Sequence, residues 1–309
     1  MKLAMVFPGQ GSQSVGMLAP YAAHAVVKQT IDEASGVLGE DLWTMIEQGP
    51  ESTLSQTINT QPVMLAADVA VYRAWLAAGG PPPTVVAGHS LGEYPALVCA
   101  GAIGFADALT LVRVRARAMQ DAVPEGTGGI AAVLGLDEAA IREVCAEASQ
   151  GGVVEPANLN APGQTVIAGH RPAVERAIEI AKARGARRAL LLPMSVPSHC
   201  SLMQPAGDSL RQALSVIPMT AAGMPVIHNA DVTRSGQPGA IRDALVRQLF
   251  MPVRWIETIE AMVRDGVTHI IECGPGKVLQ GLVKRSAPDA VVLTLSASTA
   301  IDAALDTVR

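Results

Sequence analysis

Aromatic residues and charges are scarce in this chain of 309 residues. It contains three Trp, three Tyr and three Phe, and 17% of its residues are charged, against about 25% in an average protein. Acidic residues outnumber basic ones by 28 to 23, so the net charge is −5. A protein that binds nucleic acid is expected to carry a basic excess and aromatic platforms for the bases. No nucleic-acid partner is therefore expected.

Long hydrophobic runs are also missing, although 49% of the residues are hydrophobic. The longest apolar stretch, Pro95–Ala106, has 12 residues, and a membrane-spanning helix needs about 18 or more. The apolar stretch Leu3–Phe7 is followed by Pro8 and is too short for a signal peptide. We therefore expect a cytoplasmic protein with no membrane association. The hydrophobic content is sufficient for a large core, which excludes a disordered chain.

Cysteine spacing excludes two further kinds of site. The four cysteines show no Cys-x-x-Cys pair and no regular interval; they are Cys99, Cys145, Cys200 and Cys273. Zinc sites typically show closely spaced pairs of ligands such as Cys-x-x-Cys, and disulfide frameworks are typical of short secreted chains with a recognisable cysteine spacing pattern. We expect neither a disulfide framework nor a metal site.

Short strand-like runs alternate with longer helical runs along most of the chain. Buried parallel strands are predicted at Leu3–Phe7, Thr84–Gly88, His269–Cys273 and Val291–Leu295, and a long apolar helix at Gln61–Ala78. This alternation is typical of an α/β domain with a parallel sheet. At about 150 residues per domain, the length predicts two domains or one domain with an insertion.

The middle third of the chain follows a different order, β-α-β-β-α-β. Strands are predicted at Ile130–Leu134, Val153–Leu159, Thr165–Ala168 and Ala189–Leu192, with a turn at residues 160–163 and a helix capped by Asp137. This order is the signature of a ferredoxin-like fold. We predict a ferredoxin-like subdomain at residues 127–193, inserted into an α/β domain formed by residues 1–126 and 194–309.

The segment Gly88-His89-Ser90-Leu91-Gly92 has the Gly-x-Ser-x-Gly form of a nucleophile elbow. An apolar strand precedes it and a helical stretch, Leu91–Ala100, follows it. In such an elbow a sharp turn lifts the serine hydroxyl off the sheet, close to backbone N–H groups at a helix start. We predict that Ser90 is a catalytic nucleophile.

A serine nucleophile needs a base, and six histidines are available. His89 adjoins Ser90 but projects in a different direction within a sharp turn. His199 lies in a loop next to Pro197, where it could be held over a cleft, but spacing alone does not favour His199 over His228. No acidic residue lies close to His199, so a distant carboxylate or a backbone carbonyl could orient its imidazole.

One arginine of the predicted helix Phe105–Ala122 stands apart from its neighbours. Arg113 and Arg117 share a face, whereas Arg115 falls on the apolar face that points to the core. A buried guanidinium needs a carboxylate or phosphate partner. Two interpretations remain open: a structural ion pair, or a receptor for a substrate carboxylate.

A glycine-rich loop follows the first strand, in residues 7–13. Such loops at the carboxyl end of a strand commonly line the active site of α/β proteins. The loop matches neither the dinucleotide-binding fingerprint nor a P-loop. Its N–H groups could instead complete an oxyanion hole with the N–H of Leu91.

With these features assembled, the sequence resembles the bacterial malonyl-CoA:acyl carrier protein transacylases from end to end. The resemblance lies in Phe7-Pro8-Gly9-Gln10-Gly11-Ser12-Gln13, Gly88-His89-Ser90-Leu91-Gly92-Glu93, Arg115, Pro197-Ser198-His199, Gln248-Leu249, Pro252-Val253 and Gly274-Pro275-Gly276. It implies an α/β-hydrolase-like core carrying the ferredoxin-like insertion.

The resemblance also implies a role for each site residue. Ser90 would be acylated and His199 would be its base, oriented by the backbone carbonyl of Gln248. The N–H groups of Gln10 and Leu91 would form the oxyanion hole. Substrate-binding roles fall to two further residues: Arg115 would bind the malonyl carboxylate, and Asn160 would line the cleft between the subdomains.

The function implied is a ping-pong transfer of malonyl from malonyl-CoA to the phosphopantetheine thiol of an acyl carrier protein, for fatty acid synthesis. No bound cofactor is expected, and the protein is expected to be a monomer. The alternatives are a malonyltransferase of a polyketide or malonate decarboxylase system and, from the residues alone, a serine esterase or thioesterase.

Overall fold

The structure, a computed structural model of the chain, describes residues 1–194 and 196–308. It is an α/β architecture with one parallel and one antiparallel sheet. The strands are β1 (Leu3–Phe7), β2 (Val85–Gly88), β3 (Gly128–Leu134), β4 (Val154–Ala161), β5 (Gln164–His170), β6 (Arg188–Leu191), β7 (Val226–Ile227), β8 (His269–Glu272) and β9 (Val291–Thr294).

Thirteen α-helices are present in these two described segments. They are α1 (Ala25–Leu38), α2 (Leu42–Gln48), α3 (Glu51–Leu54), α4 (Thr57–Ala77), α5 (Glu93–Cys99), α6 (Phe105–Asp121), α7 (Glu138–Ser149), α8 (Arg171–Ala183), α9 (Gln204–Val216), α10 (Pro238–Gln248), α11 (Trp255–Arg264), α12 (Val278–Ser286) and α13 (Ser298–Val308). Among the described residues, no helix is long and apolar enough to cross a membrane.

The parallel sheet forms the centre of the larger part, in the order β7-β2-β1-β8-β9. All five residues of β1 are buried. Because strand side chains alternate between faces, Met5 packs against a core that includes α4, and Val6 against a core that includes α11 and α12. The predicted strands at β1, β2, β8 and β9 are confirmed within one residue at each end. The two-residue β7 was not predicted, because it is too short to show a periodic pattern.

Helix α4 is buried on nearly all sides, which explains why its sequence shows no polar face. It begins at Thr57, four residues before the predicted start, and Pro62 lies inside it. Proline lacks an N–H, so it forgoes one helical hydrogen bond. Pro62 is the sixth residue, so the missing bond is the one to the Ile58 carbonyl, and the loss is confined to the first two turns.

The antiparallel sheet has the order β4-β5-β3-β6 and carries α7 and α8 on one face. The predicted element order is confirmed, and the Asp137 side chain accepts a hydrogen bond from the Ala140 N–H at 2.8 Å. The predicted turn at residues 160–163 is wrong in part. Asn160 and Ala161 belong to β4, because Ala161 pairs with Gln164, and only Pro162 and Gly163 form the turn.

The two sheets meet where the strands of the parallel sheet end. Val253 forms backbone hydrogen bonds of 2.9 Å to Ala157 and Leu159 and so joins β4 to the segment before α11. Three loops follow β1, β2 and β8 at the same edge of the parallel sheet. In α/β proteins this edge is the usual location of a binding site.

Candidate active site

Ser90 occupies a strained turn between β2 and α5. Its φ angle is +53°, in the left-handed region that residues other than glycine rarely adopt. A Cβ on Gly88 would lie 1.8 Å from the carbonyl of Gly92, and a Cβ on Gly92 would lie 2.1 Å from the Phe7 oxygen. Only glycine fits at these two positions, which is the physical reason for the Gly-x-Ser-x-Gly pattern.

The imidazole of His199 lies against the Ser90 hydroxyl. Its Nε2 is 2.7 Å from Ser90 Oγ, and its Nδ1 is 2.7 Å from the main-chain oxygen of Gln248. A carbonyl oxygen only accepts hydrogen bonds, so Nδ1 carries the proton and Nε2 can accept the proton of Ser90. Of the two orienting groups that the sequence left open, the structure has the backbone carbonyl.

Electrostatics keep His199 neutral. Burial, followed by the positive charge of Arg115, lowers its pKa from 6.5 to about 3. His199 is therefore unprotonated at neutral pH, which is the state that a general base needs before it accepts a proton.

Arg115 is buried beside the same hydroxyl. Its guanidinium donates to Gln61 Oε1 at 2.8 Å, Gln248 Oε1 at 3.0 Å and Ser90 Oγ at 3.2 Å. All three acceptors are uncharged, and no carboxylate pairs with Arg115 in the part of the chain that the structure describes. Arg113, by contrast, forms a two-bond ion pair with Glu40. The structural ion pair considered for Arg115 is therefore absent among the described residues.

The glycine-rich loop after β1 packs directly on the elbow. A Cβ on Gly9 would lie 2.5 Å from the His89 oxygen and 3.6 Å from the Leu91 nitrogen. This close approach brings Gln10 next to the start of the helical segment, and both Gln10 and Leu91 line the cavity at Ser90. The Gln10 side chain donates to Thr57 Oγ1 at 3.3 Å.

A cavity of about 210 Å³ opens above Ser90, between the two sheets. Ser90, His199 and Arg115 line its floor, and three amide side chains come from the antiparallel sheet: Asn158, Asn160 and Gln164. The site thus combines a serine hydroxyl, a neutral imidazole and a guanidinium that pairs with no carboxylate among the described residues, beside a polar wall that can accept and donate hydrogen bonds.

Comparison with known proteins shows the family of this chain. Residues 4–299 match the family model described as acyl transferase domain. The malonyl CoA-acyl carrier protein transacylase of Escherichia coli (strain K12) is 55% identical over 306 residues, which cover 99% of each chain. This chain belongs to the malonyl CoA-acyl carrier protein transacylase family.

Solved structures of transacylases of this family have the same fold. The acyl-carrier-protein S-malonyltransferase of Burkholderia pseudomallei 1710b superposes with a TM-score of 0.98 at 57% identity, over 99% of this chain and 100% of that one. A malonyl-transacylase in complex with a type II PKS acyl-carrier protein also gives 0.98, at 51% identity over 99% and 100% of the two chains.

The other two histidines considered at Ser90 have partners of their own in this transacylase. His89 Nε2 lies 2.7 Å from Asn160 Oδ1, and burial lowers the pKa of His89. His228 Nδ1 lies 2.7 Å from Glu93 Oε1 and Nε2 lies 3.0 Å from the Ser235 oxygen. Of the three histidines, His199 alone contacts Ser90 Oγ.

Sequence reasoning missed three residues that hold the transacylase site in place. Asn229 accepts from the Ser90 N–H at 2.7 Å and donates to the Gly88 oxygen at 2.7 Å, so it clamps both sides of the elbow. Gln61 and Glu93 are buried and contact Arg115 and Gln248 respectively. One signal was available: Glu93 is the only charged residue in the apolar stretch of α5, and a buried charge requires partners.

Proposed function

We propose that this chain transfers a malonyl group from malonyl-CoA to the phosphopantetheine thiol of an acyl carrier protein, in fatty acid biosynthesis. One observation carries this proposal. Ser90 Oγ lies between a neutral imidazole at 2.7 Å and a buried guanidinium, free of any carboxylate among the described residues, at 3.2 Å. A malonyl group formed on Oγ would carry a carboxylate whose carbon is three bonds from Oγ. That carboxylate would lie within reach of the guanidinium.

In the first half-reaction, Ser90 Oγ attacks the thioester carbon of malonyl-CoA while His199 Nε2 takes the hydroxyl proton. The tetrahedral intermediate carries a negative oxygen, for which the N–H groups of Gln10 and Leu91 are the proposed donors. The C–S bond then breaks, and His199 returns its proton to the sulfur of CoA. The product is a malonyl ester on Ser90.

In the second half-reaction, His199 takes the proton of the carrier thiol. The sulfur attacks the ester carbon, the bond to Oγ breaks, and His199 reprotonates Ser90. The Gln248 carbonyl supports both steps, because its hydrogen bond at 2.7 Å keeps the His199 proton on Nδ1. Arg115 and Asn160 are the proposed substrate-binding residues.

The same proposal covers the organisation of the chain. The parallel sheet would be an α/β-hydrolase-like domain of residues 1–126 and 194–309, and the antiparallel sheet a ferredoxin-like subdomain of residues 127–193. The strand order β4-β5-β3-β6 supports the second assignment. The transfer moves an acyl group from a thiol to a hydroxyl and on to a second thiol without redox change, so it needs no bound cofactor. The proposal also takes the protein to be a cytoplasmic monomer.

A second pathway has one observation in its favour. The malonyl-transacylase that superposes at a TM-score of 0.98 is bound to a type II PKS acyl-carrier protein. The same chemistry would therefore serve a polyketide carrier. A serine hydrolase would use the same serine and base, but it has no need of a buried cation beside the nucleophile.

Intact-mass spectrometry after mixing with malonyl-CoA tests the chemistry. We expect one malonyl adduct, located on Ser90 by tandem mass spectrometry, absent in Ser90→Ala and discharged by a carrier thiol faster than by water. An adduct on a cysteine, or no adduct, would refute the nucleophile. Discharge to water alone would favour the hydrolase.

A further inference from the structure

The buried Arg115 is held by amide side chains instead of a carboxylate. On the basis of the function proposed above, we propose that Gln61 is a specificity-determining residue. Together with Gln248, whose amide is held by Glu93, Gln61 fixes Arg115 and leaves its charge for the carboxylate of the acyl group. The transacylase would then select acyl groups by keeping its own carboxylate out of contact with the guanidinium.

The orientation of the Gln248 amide is determined by its neighbours. Its Nε2 donates to the Ser90 oxygen at 2.9 Å and to Glu93 Oε2 at 2.8 Å. Because both partners only accept, the amide oxygen must face the other way, towards Arg115 Nη2 at 3.0 Å. Gln248 therefore separates the carboxylate of Glu93 from the guanidinium by one amide group.

Glu93 is itself held from the opposite side. Its side chain is fully buried, Oε1 accepts from His228 Nδ1 at 2.7 Å, and Oε2 accepts from the Asn229 N–H at 3.1 Å. The second ring nitrogen of His228 faces the Ser235 oxygen. Both ring nitrogens of His228 thus face oxygens that accept, as in an imidazolium.

Arg115 contacts no carboxylate in the described part of this cluster. Burial lowers the pKa of His228, but the hydrogen bond and charge of Glu93, together with the Ser235 oxygen and Asp231, outweigh burial, so the net shift is upward. The hydrogen bonds of Glu93 therefore go to His228, Asn229 and Gln248, and none goes to Arg115. A carboxylate bound at Arg115 would give the guanidinium a charged partner, whereas an acetyl group would not.

Gln61 is a position at which one substitution would change this arrangement directly. Its side chain is buried, and its Oε1 accepts from Arg115 Nη1 at 2.8 Å. Among the described residues its Nε2 has one acceptor, the Met119 sulfur at 3.5 Å, which is a weak one. A glutamate has the same shape and would lose little at Met119. It would, however, place a carboxylate in direct contact with Arg115 and compete with the substrate.

The test is Gln61→Glu, assayed for transfer from malonyl-CoA and acetyl-CoA to the carrier thiol. We expect the malonyl-to-acetyl ratio of kcat/KM to fall about 10- to 100-fold, the value of a charge-assisted hydrogen bond. The melting temperature should equal or exceed that of the parent, because the new carboxylate pairs with Arg115. Gln212→Glu, the same change at an exposed position of α9, is the matched control and should leave the ratio unchanged.

A folded Gln61→Glu with the ratio of the parent would overturn the inference. If Gln61→Glu does not fold, Gln61→Met is the second test. Methionine removes one hydrogen-bond acceptor from Arg115, so KM for malonyl-CoA should rise several-fold. The malonyl-to-acetyl ratio of kcat/KM should still favour malonyl. Unchanged KM and kcat in Gln61→Met would also overturn it. A parent protein that transfers no malonyl at all would instead refute the proposed function.

Discussion

Replacing Arg115 by alanine removes the one cation that contacts the Ser90 hydroxyl in the described structure. The side chain is 1% exposed, so solvent provides little substitute for it. In the parent protein a malonyl carboxylate can accept two parallel hydrogen bonds from the guanidinium, whereas an acetyl group accepts none. The substitution should therefore affect the two acyl groups very differently.

The size of the effect follows from the two hydrogen bonds. A hydrogen bond to a charged group contributes about 1.5–3 kcal/mol, so two contribute about 3–6 kcal/mol. At about 1.4 kcal/mol for each factor of ten, kcat/KM for malonyl-CoA should fall roughly 10²- to 10⁴-fold. Acetyl transfer should change little or rise. In the parent protein a bound acetyl group leaves the guanidinium without a carboxylate partner, which disfavours acetyl. Arg115→Ala removes the guanidinium and therefore removes this penalty.

The assay is kcat/KM for both thioesters with a carrier thiol, and thermal melts confirm that each variant folds. Arg115→Lys should recover part of the selectivity, since an ammonium cannot reproduce the planar fork. Arg117→Ala is the matched control, because Arg117 is exposed on the same helix; Arg113→Ala should also leave the selectivity unchanged. An unchanged malonyl-to-acetyl ratio in folded Arg115→Ala would refute a role for Arg115 in substrate recognition.

Three further predictions concern the base, its titration and the carrier protein. His199→Ala should lower transfer about 10²- to 10⁴-fold in a chain that still folds; an equal loss in His228→Ala, without one in His199→Ala, would show that the base is misassigned. Between pH 6.5 and about 3 the unfolded chain binds a proton at His199 that the folded chain does not. The free energy of unfolding should therefore fall as the pH falls through this window. The fall should be less steep in His199→Asn. If denaturant titrations gave the two proteins the same dependence of this free energy on pH, the prediction would be contradicted. An acidic carrier protein would need a local basic surface on a chain of net charge −5, and salt should then slow transfer to the carrier more than transfer to free pantetheine. The candidate cations are exposed: Arg187, Arg188, Lys277, Lys284 and Arg285. Equal salt sensitivity of the two acceptors would exclude them.

The parts of the site that the sequence predicted are those with a local cause. The elbow depends on close contacts within residues 88–92 and with the loop after β1, so its glycines mark it in the sequence. Arg115 depends on helical periodicity, which separates it from Arg113 and Arg117. For Arg115 the neighbours that determine its position lie within about one helical turn. For the elbow the close contacts require glycine at fixed positions.

The remaining contacts have no such local cause. His199 meets Ser90 across 109 residues, and Glu93 meets Gln248 across 155. The orienting group of His199 is a main-chain oxygen, which every residue carries, so no residue type could have revealed it from periodicity or spacing. The resemblance to known transacylases supplied Gln248, whereas Asn229 and Gln61 were found only when the fold was described.

Strain explains why these distant contacts matter. Both Ser90 and His199 have positive φ angles, +53° and +64°, and such conformations cost about 1–3 kcal/mol each unless the surroundings hold them. Ser90 is held by the Asn229 side chain, and the His199 N–H donates to the Leu249 oxygen at 2.9 Å. Both supports come from residues 229–249, far from the elbow in sequence. The Gly-x-Ser-x-Gly pattern therefore permits the reactive geometry, and a segment more than 130 residues away is required to maintain it.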